Sequence, residues 1–312
     1  MPVSPLRTLL RAATLAFGVL AAQAAYAQSV AFTFDDGPFL EATPRLSPQE
    51  RNDALLAALS KHKVSAALFV TVGYGADRPQ GLALTRAWGQ AGHVLGNHTM
   101  SHPDLDDAKV TLARYQQEIL DAEHVLGSLP NYRKWFRFPF LREGNTPEKR
   151  DGMRSFLRQR DYRNAYVSLD TSDWRLNEKL VDVLTRNSQA DLAPIRQAYL
   201  DHIRQRALAY RALAQRLQGR DIAQVLLLHH NLLNALWLDD VISQFRQMGW
   251  TIVTPEQAFA DPVYALNPAR KEPGQSLLLS MGRVLGLKND DLGLRLMDDG
   301  DFEIDVLKAK GL

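Results

Sequence analysis

Short apolar runs alternate with helix-like segments along most of the chain, and this alternation limits the fold more than any other feature. Strands that alternate with helices are typical of a parallel α/β fold. About seven such units predict a closed or nearly closed barrel, although a doubly wound sheet gives the same periodicity. The runs that predict strands are SVAFTF (29–34), VSAALFV (64–70), HVLG (93–96), KWFRF (134–138), AYVSL (165–169), QVLLL (224–228) and WTIVT (250–254).

Helix start signals stand between these runs. SPQE at 47–50 and TPEQ at 254–257 each offer a hydroxyl cap, a Pro at the first helical position and a Glu or Gln at the third. TPEK at 146–149 is a weaker version of the same signal. Apolar residues at spacings of three and four predict further helices over 107–126 and 233–248.

Residues 1–27 have the pattern of a secretory signal peptide. Arg7 and Arg11 precede the apolar stretch 12–22, and small residues then end in AYAQ, which predicts cleavage after Ala27. An uncleaved membrane anchor is the alternative interpretation. We therefore expect an exported protein, periplasmic or secreted, with no integral membrane span after cleavage.

The rest of the chain divides into a main domain at 28–260 and an extension at 261–312. Residues 178–218 form a long insertion whose Ala, Leu, Arg and Gln content favours one or two helices beside the barrel. The sequence assigns no role to the extension. Within it, QSLLLSMGRVLGL (275–287) predicts a helix, and DFEIDVL (301–307) predicts a strand or an exposed strip.

Composition excludes some classes of function. The formal net charge is only +2 and no dense Lys/Arg run occurs, which argues against a nucleic-acid partner. The chain contains no cysteine, so it forms no disulfide. Any metal site must therefore use His, Asp and Glu as ligands.

Titratable and polar side chains gather where the predicted strands end. The carboxyl ends of parallel strands share one face, and this face holds the active site in parallel barrels. Five separate clusters at such positions predict a functional site there. They comprise Asp35 and Asp36 after the first run, Asn97, His98 and His102 after the third, Arg137 in the fourth, Asp170, Asp173 and Trp174 after the fifth, and His229 and His230 at the end of the sixth.

Two of these clusters have the residue types of a metal site. On a helical turn, His98 and His102 would share a face about 6 Å apart along the axis and could chelate one cation. The spacing alone is a weak signal, because such a pair is more often structural. A carboxylate from TFDDG (33–37) would complete an open three-ligand site, while the neighbouring aspartate takes a proton from water. A turn or helix cap is the alternative role for these aspartates.

Five motifs in order carry a resemblance to a known family. The sequence resembles the polysaccharide deacetylase family, also called the NodB homology domain or carbohydrate esterase family 4. The resemblance covers roughly residues 29 to 260 and implies a distorted (β/α)7 barrel, so 28–260 is expected to be the deacetylase domain. The motifs are TFDDG (33–37), HTMSH (98–102), RFPF (137–140), DTSDW (170–174) and LLLHH (226–230).

The resemblance implies a cofactor and a catalytic base. It implies a divalent cation, usually Zn²⁺ with Co²⁺, Ni²⁺ or Mn²⁺ as alternatives, held by Asp36, His98 and His102. By the same correspondence Asp35 is the base, and Arg137 holds that base in place.

The resemblance also implies a catalytic acid and contacts to the substrate. His229 stands at the position of the general acid, and Asp173 at that of the carboxylate that orients it. Phe140 stands where a backbone N–H of the family stabilises the oxyanion, and Trp174 where an aromatic ring packs beside the acid and the substrate. His230 departs from the family pattern, in which an acidic residue is frequent, and the sequence leaves open whether it acts or packs away.

Together these features predict a metal-dependent hydrolase that removes N-acetyl groups from an amino-sugar polymer such as peptidoglycan, an exopolysaccharide or a chitin-like chain. An O-acetyl carbohydrate esterase would use the same residues. A sugar-binding module without turnover is the alternative from another class. A two-metal phosphoesterase is disfavoured because the sequence lacks a second cluster of ligands. The expected partner is an acetylated polysaccharide, and protein partners stay open.

Overall fold

The buried strand β1 (Ser29–Asp36) lies at the centre of a single eight-stranded sheet. The computed structural model describes residues 28–269, 275–288 and 301–309. All strand pairings in the sheet are parallel, in the order β5-β4-β3-β2-β1-β7-β6, and β8 pairs with the start of β1. The other strands are β2 (Ala66–Val70), β3 (Val94–Asn97), β4 (Tyr132–Phe136), β5 (Arg163–Asn164), β6 (Leu169–Asp170), β7 (Ala223–His229) and β8 (Thr251–Ile252).

Helices cover the sheet, and three of them begin at the start signals that the sequence predicts. Ser47 and Thr254 each form a complete capping box, and Thr146 caps its helix by accepting from the Lys149 N–H. The helices are α1 (Pro48–Lys61), α2 (Pro79–Gln90), α3 (Leu112–Leu126), α4 (Pro147–Gln159), α5 (Asp173–Arg186), α6 (Ala193–Gln218), α7 (Leu232–Gln247), α8 (Pro255–Phe259), α9 (Leu277–Val284) and α10 (Asp301–Ala309).

The sheet curls but does not close. The predicted fifth strand at 165–169 is wrong in its extent: two two-residue strands form instead, β5 beside β4 at one edge and β6 beside β7 at the other. An open seam therefore lies between β5 and β6. Within the linking segment, the Val167 carbonyl accepts a hydrogen bond of 2.7 Å from the Leu277 N–H of α9. The C-terminal extension thus packs against the seam.

The insertion and the extension pack together. The two helices favoured for 178–218 are α5, which already begins at Asp173, and the 26-residue α6. The strand or exposed strip expected at 301–307 is wrong, because these residues belong to α10. Glu303 and Leu307 are both buried, one helical turn apart, which gives α10 an inward face that short-range periodicity did not reveal.

The core lies between the central strands and the helices. Strands β1, β2 and β7 are almost continuously buried, as expected for parallel strands covered on both faces. The predicted signal peptide lies outside the described residues. Among the residues described, no helix combines the length and the apolar character needed to cross a bilayer.

Candidate active site

The three predicted metal ligands come together where β1 and β3 end. Asp36 Oδ1 lies 3.4 Å from His98 Nε2 and 3.3 Å from His102 Nε2. One ligand atom from each of the three residues lies within 4.8 Å of the others. Residues more than sixty positions apart in the chain therefore meet at one point, because β1 and β3 both pair with β2.

The histidine pair reaches this arrangement without a helical turn. Thr99 and His102 have φ angles of 74° and 58°, in the left-handed region that non-glycine residues rarely adopt. Of the ten described non-glycine residues with positive φ, six belong to the loops around this cavity. Such conformations are energetically unfavourable and cluster at functional sites. The six are Asp36, Thr99, His102, Phe140, Leu141 and Ser172.

Hydrogen bonding and burial prepare both histidines as ligands. His98 Nδ1 lies 2.8 Å from the Arg137 carbonyl, which only accepts, so Nδ1 is the donor there and Nε2 is the nitrogen that faces Asp36. Burial lowers the pKa of His102 to about 4, despite the attraction of Asp36. Burial opposes ionisation of Asp36, but the neighbouring imidazoles lower its pKa overall.

This group of side chains fits a divalent cation. Asp36 Oδ1 is buried and has no hydrogen-bond partner. Zn–N and Zn–O bonds of about 2.0–2.1 Å imply ligand atoms roughly 3.3 Å apart in a tetrahedral site, and the two measured distances from Asp36 Oδ1 to the imidazoles agree with that value. One carboxylate and two neutral imidazoles are also the donor types that zinc takes in open sites.

Asp35 is held beside the ligand cluster by a buried arginine. Arg137 Nη1 donates to Asp35 Oδ1 at 2.7 Å and to Thr33 Oγ1 at 2.8 Å. The guanidinium also lies 4.0 Å from the ring centroid of Phe69. Asp35 Oδ2 lies 3.8 Å from His98 Nε2, on the side of the ligand cluster. One carboxylate oxygen is thus fixed by the arginine, and the other faces the cluster.

The opposite side of the cavity holds the pair His229 and Asp173. His229 Nδ1 lies 2.6 Å from Asp173 Oδ1, and the His229 backbone N–H donates to Asp173 Oδ2 at 3.0 Å. Asn231 and Asn234 donate to the same Oδ2 at 2.9 and 2.6 Å. The carboxylate therefore accepts four hydrogen bonds and fixes the orientation of the imidazole.

The electrostatic surroundings favour the charged form of His229. Burial alone would lower its pKa, but attraction and hydrogen bonding to Asp173, together with the charges of Asp36 and Asp35, raise the pKa of His229 to about 10. Because Nδ1 faces Asp173, the proton that can be transferred to a substrate is on Nε2.

A cavity of about 580 Å³ joins these groups. Phe140 and Trp174 line it and stay 51% and 37% exposed, which is unusual for large apolar rings. The Phe140 ring meets the His102 ring edge to face, with centroids 4.5 Å apart. Every residue predicted for the site therefore lies in or directly beside one cavity.

The structure adds residues that sequence reasoning missed. Tyr74 lines the cavity just after β2, stacks on Phe39 at 4.8 Å, and has its pKa raised to about 12 by burial and by Asp36. Tyr74 follows the second predicted strand, so its position at a strand end indicates the cavity, although its side chain is uncharged at neutral pH. Arg142 lines the rim and pairs with Asp104. No short motif signals that long-range pair.

His230 packs away from the cavity. It is fully buried, its Nε2 lies 3.0 Å from Asn52 Oδ1, and burial, followed by the charge of Arg51, lowers its pKa to about 3. A Cβ at Gly37 would lie 2.2 Å from the His230 ring, so this ring requires the glycine of TFDDG. Of the two interpretations left open for His230, the geometry supports packing.

Sequence comparison agrees with the motifs. The model of the polysaccharide deacetylase family matches residues 22–155. This match covers less than half of the chain, and over it the chain is similar to the polysaccharide deacetylase family. A peptidoglycan-N-acetylglucosamine deacetylase of Bacillus cereus is 34% identical over 147 residues, which are 47% of this chain and 46% of that protein. A chitooligosaccharide deacetylase of Sinorhizobium fredii is 44% identical over 79 residues, 25% of this chain and 31% of that protein. The chain thus matches less than half the length of these two curated relatives.

Structural comparison confirms the polysaccharide deacetylase fold. The crystal structure of the peptidoglycan N-acetylglucosamine deacetylase Bc1960, in complex with 4-naphthalen-1-yl-N-oxidanyl-benzamide, superposes with a TM-score of 0.52 at 25% sequence identity. The superposition covers 75% of this chain and 89% of that one. The predicted NodB-type barrel is therefore confirmed, in the form of a curled half-barrel of parallel strands with helices.

Proposed function

We propose that this protein is a metal-dependent hydrolase that removes N-acetyl groups from an amino-sugar polymer. The observation that carries the proposal is the convergence of a possible cation site, an arginine-held carboxylate and a charged imidazole in one cavity. The names of the two curated relatives, a peptidoglycan deacetylase and a chitooligosaccharide deacetylase, support amino-sugar polymers as the substrate class.

Asp36, His98 and His102 would hold the cation, with Zn²⁺ as the first choice. When bound, such a cation supplies Lewis-acid activation of water and of the acetyl carbonyl. The chain's contribution is to present one ionised carboxylate and two imidazole nitrogens in a fixed arrangement. Ligands that are already aligned lose little conformational freedom on binding.

Asp35 would act as the general base. Arg137 fixes its Oδ1, which leaves Oδ2 as the oxygen free to accept a proton from the attacking water. The water oxygen then bonds to the acetyl carbon. Asp35 must not bind the cation to perform this task, which separates its role from that of Asp36.

His229 would act as the general acid. Its Nε2–H gives a proton to the sugar nitrogen as the bond between that nitrogen and the acetyl carbon breaks, so that acetate and a free amine are formed. In the metal-free protein, attraction and hydrogen bonding to Asp173 outweigh burial and raise the pKa of His229 to about 10, which favours the protonated imidazole. Asp173 would keep the ring oriented by accepting from Nδ1.

Two aromatic residues would bind the sugar chain and the oxyanion. The exposed rings of Phe140 and Trp174 offer flat apolar surfaces at the mouth of the cavity, on which sugar rings can stack. The backbone N–H of Phe140 would donate to the developing oxyanion. A left-handed Phe140, with φ at 55°, supports a special role for its peptide group, because bulky residues adopt this conformation rarely.

An exported protein would suit this function, since peptidoglycan and exopolysaccharides lie outside the cytoplasm. We accordingly propose residues 1–27 as a signal peptide, 28–260 as the deacetylase domain and 261–312 as a C-terminal extension. The cleavage site can be checked by N-terminal sequencing of protein recovered from the exported fraction.

Released acetate tests the function directly. The zinc-loaded protein is incubated with chitin oligomers, intact peptidoglycan and O-acetylated xylan, and Asp35→Asn serves as the matched control. We expect acetate from at least one amide-linked substrate, abolished by a chelator and restored by a divalent cation. Acetate from the O-acetylated polymer alone would assign an esterase. Substrate binding without acetate from any polymer would assign a sugar-binding module.

A further inference from the structure

The insertion helix α6 reaches the proposed general acid through a buried chain of hydrogen bonds. The hydroxyl of Tyr199 donates to Asn234 Oδ1 at 2.6 Å, and Asn234 Nδ2 donates to Asp173 Oδ2 at 2.6 Å. All three residues are fully buried. Asn234 Nδ2 also donates to the His229 carbonyl at 2.9 Å, so one amide group contacts both members of the acid pair.

The direction of every bond in this chain is fixed by chemistry. An ionised Asp173 can only accept, so Asn234 must direct its NH₂ group towards it. The amide oxygen of Asn234 then points away and can only accept, which requires a donor at that position. Tyr199 is that donor. Without its hydroxyl, the Asn234 oxygen would be buried without a partner, and the amide would no longer be held in the required orientation.

A second contact from α6 supports the same loop. His202 Nε2 lies 2.8 Å from the carbonyl of Thr171, two residues before Asp173. The intervening Ser172 has a left-handed φ of 46°, a conformation that needs support from its surroundings. Helix α6 therefore contacts both the carboxylate partner of His229, through Asn234, and the backbone that positions this carboxylate.

We infer that Tyr199 and Asn234 are positioning residues for the general acid, and that the insertion helix is part of the catalytic apparatus. This inference rests on the proposed function of His229. The hydrogen-bonded chain holds Asp173 in the one position from which it can orient the imidazole, so that Nε2 points at the leaving nitrogen.

Leaving-group dependence separates positioning from a merely structural role. An amide releases an amine, which needs a proton from the acid, whereas 4-nitrophenyl acetate releases a stable anion that does not. In Tyr199→Phe we expect kcat for an N-acetylated chitin oligomer to fall about tenfold, the usual effect of one lost hydrogen bond. KM and the rate with 4-nitrophenyl acetate should change less than about twofold, since no contact to substrate is lost.

Tyr115→Phe is the matched control. Tyr115 is also a fully buried tyrosine, but its hydroxyl has no hydrogen-bond partner and it lies outside the catalytic cavity. Tyr115→Phe should leave unchanged both kcat for the chitin oligomer and the rate with 4-nitrophenyl acetate. Asn234→Ser gives a second test from a different helix, because it removes the amide that donates to both Asp173 and the His229 carbonyl. It should therefore impair the amide reaction selectively. Thermal unfolding of each variant checks that the fold is retained.

Two results would overturn the inference, and they differ from each other. If Tyr199→Phe and Asn234→Ser slow the amide and the activated ester equally, α6 has a general structural role and positions no acid. If the wild-type protein hydrolyses the activated ester but no N-acetylated substrate, the proposed function fails, and the positioning role fails with it.

Discussion

The two sides of the candidate active-site cavity are stabilised in different ways. The ligand side, made of Asp36, His98 and His102, contains a buried carboxylate oxygen without a hydrogen-bond partner. The acid side, made of His229 and Asp173, has a carboxylate that accepts four hydrogen bonds from its own chain. On the proposed function, a cation would complete the first side, whereas the second side is already satisfied by protein hydrogen bonds.

This difference predicts how each side responds to change. A buried polar group without a partner is destabilising, so the ligand side should depend strongly on an added cation. The acid side should keep its geometry whether or not a cation is present. Its support comes instead from helices α6 and α7, so it should depend on packing at a distance from the cavity. The following variants test whether the two sides are as separate as the geometry suggests.

Asp35→Asn should have the largest effect. It separates turnover from cation binding, because Asp35 lies beside the ligands without being one of them. We expect turnover to fall about 10³-fold, within the range attributed to a general base, because an amide cannot accept the proton from water. Metal content should stay unchanged, since Asp35 is held by Arg137 and is not needed as a ligand. Acetate release and elemental analysis of the dialysed protein measure the two quantities. A variant that loses its metal together with its activity would make Asp35 a ligand.

His102→Ala should weaken cation binding more than about 100-fold, because losing even an outer-shell partner of a metal ligand costs 10- to 100-fold in affinity. Zinc titration against a competing chelator measures this affinity. If the two sides are independent, His102→Ala should also leave His229 unchanged. The NMR signals of the His229 ring should then be the same in the metal-free variant and in the metal-free wild type. A large change at His229 would mean that the two sides are coupled.

The ligand side could be predicted from sequence more completely than the acid side. Asp36, His98 and His102 lie in short motifs at predicted strand ends, and parallel pairing alone brings such ends together. Tyr199 and Asn234 carry no comparable signal, because their contact joins two helices 35 positions apart in the chain. A buried tyrosine on an amphipathic helix looks like any other core residue until the structure shows its partner.

The fold shows the same division between local and distant information. Helix starts at Ser47, Thr146 and Thr254 were predictable because capping depends on residues three positions apart. The strand predicted over 165–169 is wrong in its extent. The composition of this segment favours a strand, but the open seam leaves it without a neighbouring strand over most of its length. Helix α10 packs inward because its buried Glu303 pairs with Arg206 of α6. These two residues lie far apart in the chain, so no local sequence pattern predicts the pair.

The stability contributed by the His229–Asp173 pair should be lost as pH rises. In the metal-free protein the pKa of His229 is raised to about 10 from 6.5, so folding stabilises its protonated form. By linkage, the stability contributed by this pair is fully present below pH 6.5 and is lost as pH rises through about 10. In Asp173→Asn, the pKa of His229 should fall by at least about one unit, a tenfold change in the protonation equilibrium. NMR titration of the imidazole measures it. An unchanged pKa would show that other charges, and not Asp173, hold the proton.

The smallest effect should come from Asn231, because the acid side is redundantly bonded. Its side chain accepts from the Asn234 N–H as the cap of α7 and donates to Asp173 Oδ2. Without it, the Asp173 carboxylate keeps three other donors, two on Oδ2 and one on Oδ1. Asn231→Ala should therefore lower the free energy of unfolding by about 1 kcal/mol, as is typical for a lost cap. Asn231→Ser keeps the cap and should recover most of that loss without restoring the donor. Both variants should retain nearly full kcat if three donors suffice to hold the carboxylate. If both variants lose as much kcat as Asp173→Asn, the four hydrogen bonds act as one unit. The acid side would then tolerate the loss of a single contact no better than the ligand side.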